Sequence, residues 1–265
     1  MLSIIIVNYK NPPLLRLCLK SLNRTLAANF PHEIIVIDSG STIETEYVIE
    51  EFPGIKLKLF KENIGYTRGV NEGLKLAEGN KIFIANPDII PITGSLEKMY
   101  GYLLEHPDVG ILGPKLLNFN GTAQESCFRF YTPFTILCRR TFLGRLPFAK
   151  KTLNRFLMKD KNLNEITSTD WLMGSAYMVS REGVDKVGPL DERMFLYMSD
   201  VDWPRRFWEN GFKVLYYPHA SMYHYHLRES GGTIWNIFTN QLVRWHIKDA
   251  LRYFKKYGLK HFSYV

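Results

Sequence analysis

Cysteine is scarce in this chain of 265 residues, and its distribution argues against two kinds of site. The three cysteines, Cys18, Cys127 and Cys138, are odd in number and far apart. They match neither a disulfide framework nor the close spacing of a zinc site. We therefore expect the protein to work in a reducing, cytoplasmic environment.

Long hydrophobic runs are also absent, although 46% of the residues are hydrophobic. No run approaches the roughly 20 apolar residues that a membrane-spanning helix requires. The N-terminus lacks a charged and then apolar leader, so we expect no signal peptide. Without internal repeats or low-complexity linkers, the sequence favours one compact globular unit.

Acidic residues are outnumbered only in the second half of the chain. Residues 1–120 contain 12 Lys and Arg against 13 Asp and Glu, whereas residues 121–265 contain 22 against 13. A basic half indicates a polyanionic partner, such as nucleic acid, a membrane surface or a phosphorylated lipid, or else a solvated basic face. No nucleic-acid recognition motif accompanies the charge, so we expect no nucleic-acid partner.

The first 88 residues alternate between two hydrophobic patterns. Continuous apolar runs, typical of strands buried on both faces, alternate with helical spacing. The strand patterns cover 2–9, 32–42, 55–60 and 81–88, and the helical patterns cover 12–22, 43–51 and 67–79. This alternation predicts a parallel α/β sheet with helices on both faces.

Polar residues follow three of these strand patterns. Asn8, Asp38 and Asp88 each stand at the C-terminal end of a predicted strand. In parallel sheets ligands bind beyond those ends, so the three side chains indicate a nucleotide crevice. Taken alone, the Asn-Pro-Asp tripeptide at 86–88 is equally typical of a turn.

The second half is less regular. Residues 121–165 are rich in aromatic residues and contain nine Lys and Arg. Patterns further along predict a strand near 176–180, a helix that Gly211 ends, a strand over 212–218 and a long helix over 234–257.

Five motifs in order resemble one enzyme family. They are "SIIIVNYK…EIIVIDSGST", "NIGYTRGVNEGLKLAEG", "NPD", "DWLMGSAYMVSRE" and "GPLDERMFLYMSDVDWPRR". Together they resemble family 2 inverting glycosyltransferases of the rhamnosyltransferase-like branch, over nearly the whole chain. The resemblance implies the GT-A fold, a Rossmann-like, mostly parallel central sheet flanked by helices. Residues 1–120 would form the nucleotide-sugar half and 121–233 the acceptor half of one domain, followed by a C-terminal basic amphipathic helix in 234–265.

The resemblance implies a dTDP- or UDP-sugar as donor. Asp38 would accept a hydrogen bond from the imide N–H of thymine or uracil. Gly65 would allow close backbone approach, and Arg68 would reach a phosphate. The residues that match the family's donor positions are Val7, Asn8, Tyr9, Asp38, Gly65, Arg68, Asn71 and Asn86.

It also implies a site for Mg²⁺ or Mn²⁺, which would neutralise the diphosphate leaving group. Asp88 and His224 match the family's ligand positions. Asn86 stands where the family usually has a second Asp, so we expect weaker metal binding. His226 would lie on the same face of a strand as His224 and contact the diphosphate or the acceptor.

Asp200 matches the position of the catalytic base in "YMSDVDW", where Ser199 replaces the usual Glu. Its aromatic and Met-rich neighbours would partly desolvate it and raise its pKa. Asp202 would orient a neighbour or cap the following helix, in which Pro204 fits the first turn. A helix cap is the alternative role for Asp200 as well.

Six residues match the acceptor side of the family. They are Trp171, Gly174, Asp191, Tyr197, Trp203 and His226. Aromatic rings stack well on the C–H faces of sugars, which favours the three aromatic side chains as acceptor contacts. Core packing is an equally good interpretation of each ring.

The predicted C-terminal helix has a basic stripe of Arg244, Lys248, Arg252 and Lys255. A second stripe, of Val243, Ile247, Ala250 and Phe254, lies nearly opposite. Such a helix binds anionic membrane surfaces, which would place the protein on the inner face of the cell membrane. Alternatively, the apolar stripe packs on the domain core.

These features favour an inverting glycosyltransferase that moves a sugar, rhamnose in our interpretation, to a polyprenyl-diphosphate-linked glycan in cell-surface polysaccharide synthesis. A galactofuranosyl- or other hexosyltransferase of the same fold is one alternative. An inactive nucleotide-sugar-binding protein is another, suggested by Asn86 and Ser199. The oligomeric state stays open.

Overall fold

The structure is a computed structural model that describes residues 1–225, 240–259 and 262–265. The strands are β1 (Leu2–Asn8), β2 (His32–Ser39), β3 (Lys56–Phe60), β4 (Lys81–Ala85), β5 (Ile89–Pro91), β6 (Val109–Leu117), β7 (Cys127–Phe128), β8 (Thr167–Ser168), β9 (Trp171–Leu172), β10 (Ala176–Ser180) and β11 (Lys213–His224). The α-helices are α1 (Pro12–Thr25), α2 (Ile43–Glu50), α3 (Gly65–Leu76), α4 (Ser95–Glu105), α5 (Pro133–Arg140), α6 (Pro147–Phe156), α7 (Arg181–Val187), α8 (Ser199–Glu209) and α9 (Gln241–Tyr257), and a 3₁₀ helix covers Phe142–Arg145.

Within these ranges one mixed sheet of nine strands forms the centre of the molecule. Its order is β3-β2-β1-β4-β10-β6-β11-β5, and β8 pairs with β11. Strands β1 to β4 are parallel, as predicted, while β10 runs antiparallel between β4 and β6. Strands β7 and β9 form a separate small sheet. The predicted Rossmann-like α/β fold is confirmed.

Helices cover both faces of the sheet because the parallel strands are apolar on both sides. Along β1, Ile4 and Ile6 join the core formed with α1, α2 and α4. Ile5 and Val7 point the other way and join the core formed with α3, α7 and α8. This alternation follows from the two-residue period of a strand.

A third, aromatic core lies in the second half of the chain. Phe128, Phe156, Trp171 and Met198 pack together there with Tyr253 of α9. The C-terminal helix therefore packs on the second half of the chain, which is the alternative to membrane contact considered above. Its fully buried residues are Asp249 and Tyr253. Of the predicted apolar stripe, Ala250 and Phe254 pack against the aromatic core, whereas Ile247 is exposed. Residues 234–239 of the predicted helix lie outside the described ranges.

Strand β4 ends at Ala85, three residues earlier than predicted. Pro87 has no N–H to donate to a ladder, and Asn86 instead accepts a hydrogen bond from Ile89 through its carbonyl, which closes a turn. Asp88 therefore lies in the turn that leads to β5.

All three cysteines are free and buried, so the expectation of no disulfide holds. No helix in the described part of the chain combines the length and the apolarity that crossing a membrane demands.

Candidate active site

The turn after β4 brings a carboxylate beside an imidazole. Asp88 precedes β5, and His224 ends β11, which pairs with β5. His224 Nε2 lies 3.4 Å from Asp88 Oδ2, and the His224 side chain is only 3% exposed. The two residues assigned to metal binding are therefore neighbours, although they stand in opposite halves of the chain.

This pair has the chemistry of a divalent cation site. Asp88 Oδ1 is buried and has no hydrogen-bond partner among the described residues. Carboxylate oxygen and imidazole nitrogen are both acceptable to Mn²⁺, and Mg²⁺ is often held by one or two carboxylates plus substrate phosphates. Those same parts of the chain contain no group of three or more His, Cys, Asp or Glu side chains placed to hold a metal. A cation bound by Asp88 and His224 would therefore need further oxygen ligands from a phosphorylated molecule or water.

Asp200 lies in the first turn of α8, where the backbone amides favour negative charge. Its Oδ2 accepts a hydrogen bond of 3.2 Å from the backbone N of Gly174. Removal from water raises the pKa of Asp200 to about 6, despite the opposing effect of the hydrogen bonds from Gly174 and from its own amide. A carboxylate with such a pKa is mostly ionised at neutral pH and remains basic enough to accept a proton.

The segment of Gly174 and Ser175 connects Asp200 with the turn that contains Asp88. The Gly174 carbonyl accepts a hydrogen bond of 2.6 Å from the Tyr66 hydroxyl. The next carbonyl, of Ser175, accepts one of 2.9 Å from the backbone N of Asn86. The candidate base and the Asp88–His224 pair are thus held by hydrogen-bonded neighbouring segments.

A carboxylate from α9 holds the loop that precedes Asp200. Asp249 Oδ2 accepts hydrogen bonds of 3.0–3.1 Å from three consecutive backbone amides, those of residues 195–197. Asp249 is fully buried. A buried carboxylate that gathers three N–H donors fixes the path of the backbone, so α9 positions the loop that leads to Asp200.

Gly65, at the start of α3, packs against this loop, and Met198 ends the loop. Gly65 has a φ of 78°, and a Cβ there would lie 2.5 Å from the Phe195 carbonyl oxygen. The close approach predicted for a nucleotide is therefore made by Phe195, which gives Gly65 a packing role instead. Met198 has a φ of 66°, an uncommon conformation for a residue other than glycine. Such residues cluster at functional sites.

Asn8 and Asp38 meet at the ends of β1 and β2, as the sequence predicted. Asn8 Nδ2 donates a hydrogen bond of 2.7 Å to Asp38 Oδ1, and both residues are fully buried. Asp38 Oδ2 has no hydrogen-bond partner within the described ranges. Tyr9 follows directly and is 48% exposed, with its ring over Gly40. Asp38 is therefore inaccessible to solvent in this structure. A contact between its carboxylate and a nucleotide base requires that the residues over it move.

Val7 and Arg68 differ in their access to solvent. Val7 belongs to the core beneath α3, so its side chain supports the edge of the sheet. Arg68 is exposed, and its guanidinium lies 5.9 Å from the centre of the Phe60 ring. Of these two predicted donor contacts, Arg68 is the one with a side chain accessible from solvent.

Asn71 does not face a ligand. Its amide group forms two hydrogen bonds of 2.9 Å with the backbone N and O of Leu190, and a third with Glu192. The residue is 3% exposed. The donor contact predicted for Asn71 is therefore wrong for this conformation, because all its polar atoms hold the loop before Arg193.

Two predicted acceptor contacts are core residues. Trp171 is 5% exposed, stacks on Phe128 and donates from Nε1 to the Arg129 carbonyl. Trp203 is 1% exposed and donates from Nε1 to the Gly188 carbonyl. Their rings have no face available to a sugar, so the core-packing alternative holds for both.

The other predicted acceptor residues have different environments. Tyr197 is partly exposed and stacks on His246 of α9. The Arg193 guanidinium, and Lys256 less strongly, hold the pKa of Asp191 well below its usual range, which keeps the carboxylate in an ion-pair cluster. Gly174 contacts Asp200 directly, and His226 lies outside the described residues.

Asp202 is not the helix cap that its position before Pro204 had suggested. Helix α8 begins at Ser199, so Asp202 lies inside it. Its buried carboxylate accepts hydrogen bonds from Arg206, Lys256 and Tyr257. The alternative role, that of orienting neighbours, fits this arrangement, because the residue links α8 to α9.

Three residues of the site were not predicted. Tyr66 lies inside the "NIGYTRG" motif, so its motif position was an available signal. Asp249 is the only acid in α9, and a lone acid in a basic helix is a weak signal. Gln124 has an Oε1 that lies 2.8 Å from His224 Nδ1. No sequence signal pointed to Gln124, since nothing in the sequence relates the two positions.

Comparison with known proteins finds sequence relatives and solved structures that the chain resembles. The chain is 28% identical over 246 residues to the N-acetylglucosaminyl-diphospho-decaprenol L-rhamnosyltransferase of Mycobacterium tuberculosis, covering 87% of this chain and 78% of the relative. Among solved structures, GalNAc-T7 with UDP, GalNAc and Mn²⁺ gives a TM-score of 0.66 at 15% identity, covering 86% of this chain and 44% of that one. The mannosyltransferase PcManGT from Pyrobaculum calidifontis, with GDP-Man and Mn²⁺, gives 0.59 at 18% identity, covering 95% and 64%. These two structures show the fold alone, and this chain spans less than two thirds of either.

A match to a known family covers more than half of the chain. Residues 3–171, from β1 to the start of β9, match the family described as Glycosyl transferase family 2. This segment contains the paired ends of β1 and β2 and the Asp88 turn. The chain therefore belongs to glycosyl transferase family 2 and has the GT-A fold.

Proposed function

We propose that the protein is an inverting, metal-dependent glycosyltransferase that moves a hexosyl unit from a nucleotide diphosphate sugar to an acceptor hydroxyl. The observation that carries the proposal is the partly desolvated carboxylate of Asp200 beside the Gly174–Ser175 segment, which is itself hydrogen-bonded to the Asp88 turn. A base and an adjacent anion-neutralising site are the two requirements of a single displacement at an anomeric carbon.

Asp200 acts as the general base in this mechanism. Its carboxylate takes the proton of the acceptor hydroxyl while the oxygen attacks the anomeric carbon and the bond to the diphosphate breaks. The Gly174 amide holds one carboxylate oxygen and so fixes the direction of the other. Tyr66 keeps Gly174 in place through its carbonyl.

Asp88 and His224 would hold the divalent cation, and Asn86 lies on the same turn as Asp88. A cation held there would neutralise the charge that develops on the leaving diphosphate. Arg68 is exposed and available for the same phosphates. Asp38 Oδ2 would accept the imide N–H of uracil or thymine once the residues over it move.

The sugar and acceptor follow the mycobacterial relative, which is named for transfer of L-rhamnose to N-acetylglucosaminyl-diphospho-decaprenol. We propose a rhamnosyl donor carried on dTDP or UDP, and a polyprenyl-diphosphate-linked glycan as acceptor in cell-surface polysaccharide synthesis. Galactofuranosyl transfer is the alternative within the same fold.

A panel of donors tests the proposal. Melting temperatures are measured with dTDP-rhamnose, UDP-galactofuranose, UDP-glucose and GDP-mannose, each with and without Mn²⁺ or Mg²⁺. A ligand that binds only the native state raises the melting temperature by mass action. A rise with dTDP- or UDP-sugars that EDTA abolishes is expected, whereas no rise with any donor contradicts the proposal. Binding without transfer to any lipid-linked acceptor favours the inactive binding protein.

The base assignment has its own test. Asp200→Asn should lower kcat by roughly 10²–10⁴-fold and leave donor affinity unchanged. Wild-type kcat/KM should fall tenfold per pH unit below about 6, because protonation removes the base. Asp185→Asn, at an exposed acid of α7, is the matched control and should keep full activity. Activity retained in Asp200→Asn excludes this carboxylate as the base.

We also propose that the protein binds the cytoplasmic face of an anionic membrane through two exposed surfaces. On α5 and α6, Phe134, Leu137 and Phe148 are 43–56% exposed. On α9, Ile247 and Leu251 are 39% and 66% exposed. Exposed basic residues on or beside these helices include Arg145, Lys150, Lys151, Arg244, Lys248 and Lys255. Apolar side chains surrounded by bases suit the boundary between acyl chains and anionic headgroups.

Sedimentation with vesicles tests this surface. Binding to vesicles that contain phosphatidylglycerol, weakened by salt and absent with phosphatidylcholine alone, is expected. Substituting Phe134, Leu137 and Phe148 by Ser should abolish it. Tyr47→Ser, at an exposed ring in the nearly neutral first half, is the control. Equal sedimentation of wild type and triple variant excludes the α5–α6 surface.

A further inference from the structure

We propose that Gln124 is a positioning residue that fixes the tautomer of His224 and so presents the lone pair of Nε2 toward Asp88. The inference rests on the proposed metal site, in which His224 is a ligand. It adds a residue from the loop between β6 and β7, which lies far from both ligands in sequence.

The orientation of the Gln124 amide follows from its partners. Gln124 Nε2 donates hydrogen bonds to Asn118 Oδ1, at 2.8 Å, and to the backbone carbonyl of His224, at 3.0 Å. The reversed amide would place an oxygen against two oxygen acceptors. Oε1 is therefore the atom that lies 2.8 Å from His224 Nδ1, and it is able only to accept.

The turn before Gln124 keeps the Asn118 amide oriented so that its Oδ1 accepts the hydrogen bond from Gln124 Nε2. Asn118 Nδ2 donates to Thr122 Oγ1, which leaves Oδ1 facing Gln124. The backbone N of Asn118 donates to the Thr122 carbonyl, and that of Gly121 donates to the Asn118 carbonyl. The backbone N of Gln124 donates to the Leu116 carbonyl of β6, so the side chain is anchored to the sheet.

The consequence concerns the ring of His224. With an acceptor at Nδ1, the proton of the neutral ring lies on Nδ1, and Nε2 carries a lone pair. Nε2 and Asp88 Oδ2 are 3.4 Å apart, so two electron pairs face each other in a largely buried place. A cation between them relieves the repulsion. Without Gln124 the ring would place its proton on Nε2 and donate it to Asp88, which would block the metal position.

Acceptors that bind the other ring nitrogen of a metal-binding histidine orient its ring, and their removal typically lowers metal affinity 10–100-fold. We therefore expect that Gln124→Leu weakens Mn²⁺ binding by that factor when UDP is present. The readout is the signal of free Mn²⁺ in an electron paramagnetic resonance titration. Gln241→Leu, at an exposed glutamine that begins α9, is the matched control and should bind as wild type does.

The tautomer is measured directly, without metal or activity. Long-range ¹H–¹⁵N spectra of protein with ¹⁵N-labelled histidine, recorded near pH 8.5, distinguish the two neutral tautomers and the imidazolium; His224→Gln assigns the signals. The wild type should show the Nδ1–H form, and Gln124→Leu the Nε2–H form. Asn118→Ala, which leaves Gln124 in place but frees its amide, should show a mixture and serves if Gln124→Leu fails to fold.

The outcomes separate the inference from the proposed function. An Nε2–H ring or an imidazolium in the wild type overturns the inference, as does an unchanged tautomer in Gln124→Leu. Equal Mn²⁺ affinity in wild type and Gln124→Leu also overturns it, while the metal site stands. A wild type that binds no Mn²⁺ with UDP refutes the metal site and, with it, the role of Gln124.

Discussion

The two halves of the chain hold their functional side chains by different physical means. In the first half, Asn8 and Asp38 are placed by the register of two largely apolar parallel strands. In the second half, three fully buried carboxylates hold loops and helices in place, those of Asp170, Asp202 and Asp249. Asp170, for example, accepts hydrogen bonds from the backbone N of residues 130 and 264. Hydrophobic burial determines the position of the sheet strands, and buried carboxylates determine the conformation of the second half.

This difference indicates which kind of substitution should destabilise each half. A buried carboxylate is costly unless hydrogen bonds compensate for lost hydration, so each anchor permits few alternative loop conformations. An aliphatic strand has no such directional requirement, but it depends on close fit with the helices above it. Substitutions of the anchors and of the packing contacts should therefore affect the protein differently.

Removal of the anchor at Asp249 should have the largest effect. Asp249→Ala leaves three amides of residues 195–197 without their acceptor, and we expect a loss of about 3 kcal/mol in the free energy of unfolding. Because the loop leads to Asp200, kcat should fall at least tenfold while the donor KM stays unchanged. Denaturant unfolding and steady-state kinetics measure the two effects.

Lys255→Ala, on the exposed face of the same helix, is the control for Asp249→Ala. It should change neither quantity. A loss below about 1 kcal/mol in Asp249→Ala would show that water replaces the carboxylate, and the distinction between the two halves would then fail.

The stability of the first half should instead be sensitive to added side-chain volume. A Cβ at Gly73 would overlap Cγ2 of Ile5, so Gly73→Ala should destabilise the protein by about 2 kcal/mol. Gly101 lies inside α4 with no atom within 4 Å of such a Cβ, so Gly101→Ala should stabilise it by up to about 1 kcal/mol. Thermal unfolding of the two variants compares them directly, and effects of equal sign would contradict the packing argument.

The same difference explains how much the sequence could predict. The four parallel strands and the intervening helices were predicted within a few residues, because apolar periodicity is local. Motif position also predicted that Asp88 meets His224. Asn71 and Trp203 were misassigned, because a family position does not reveal that all the polar atoms of a side chain have protein partners.

The anchors were unpredictable for a related reason. Asp249 and its three amide partners, or Gln124 and His224, come together only after the whole sheet has formed. No local pattern encodes contacts between segments so far apart. The desolvation of Asp200 and the resulting rise of its pKa were easier to predict, since its helix-start position and its aromatic neighbours are both visible in the sequence.

The burial of Asp200, which suits its proposed role as a base, should lower the stability of the folded protein at neutral pH. Burial raises its pKa to about 6, so the folded protein binds this proton more tightly than the unfolded chain does. Stability is therefore lost as the pH rises from about 4 through 6. Asp200→Asn removes this penalty, and we expect a gain on the order of 1 kcal/mol at pH 8 that shrinks toward pH 4. Denaturant midpoints at the two pH values measure it, and a gain independent of pH would point to another cause.

The smallest effect on stability should come from an exposed ion pair that belongs neither to the apolar sheet nor to the buried carboxylate anchors. Arg16 and Glu51 form an ion pair of 2.7 Å between α1 and the end of α2, with side chains 42% and 39% exposed. Arg16→Gln should cost less than about 0.5 kcal/mol, and the difference should vanish in 1 M salt, because water and ions screen exposed pairs. Lys256→Met, which removes a partner of the fully buried Asp202, should cost more and keep its effect in salt. Equal losses would mean that burial does not distinguish the anchors of the second half from ordinary surface pairs.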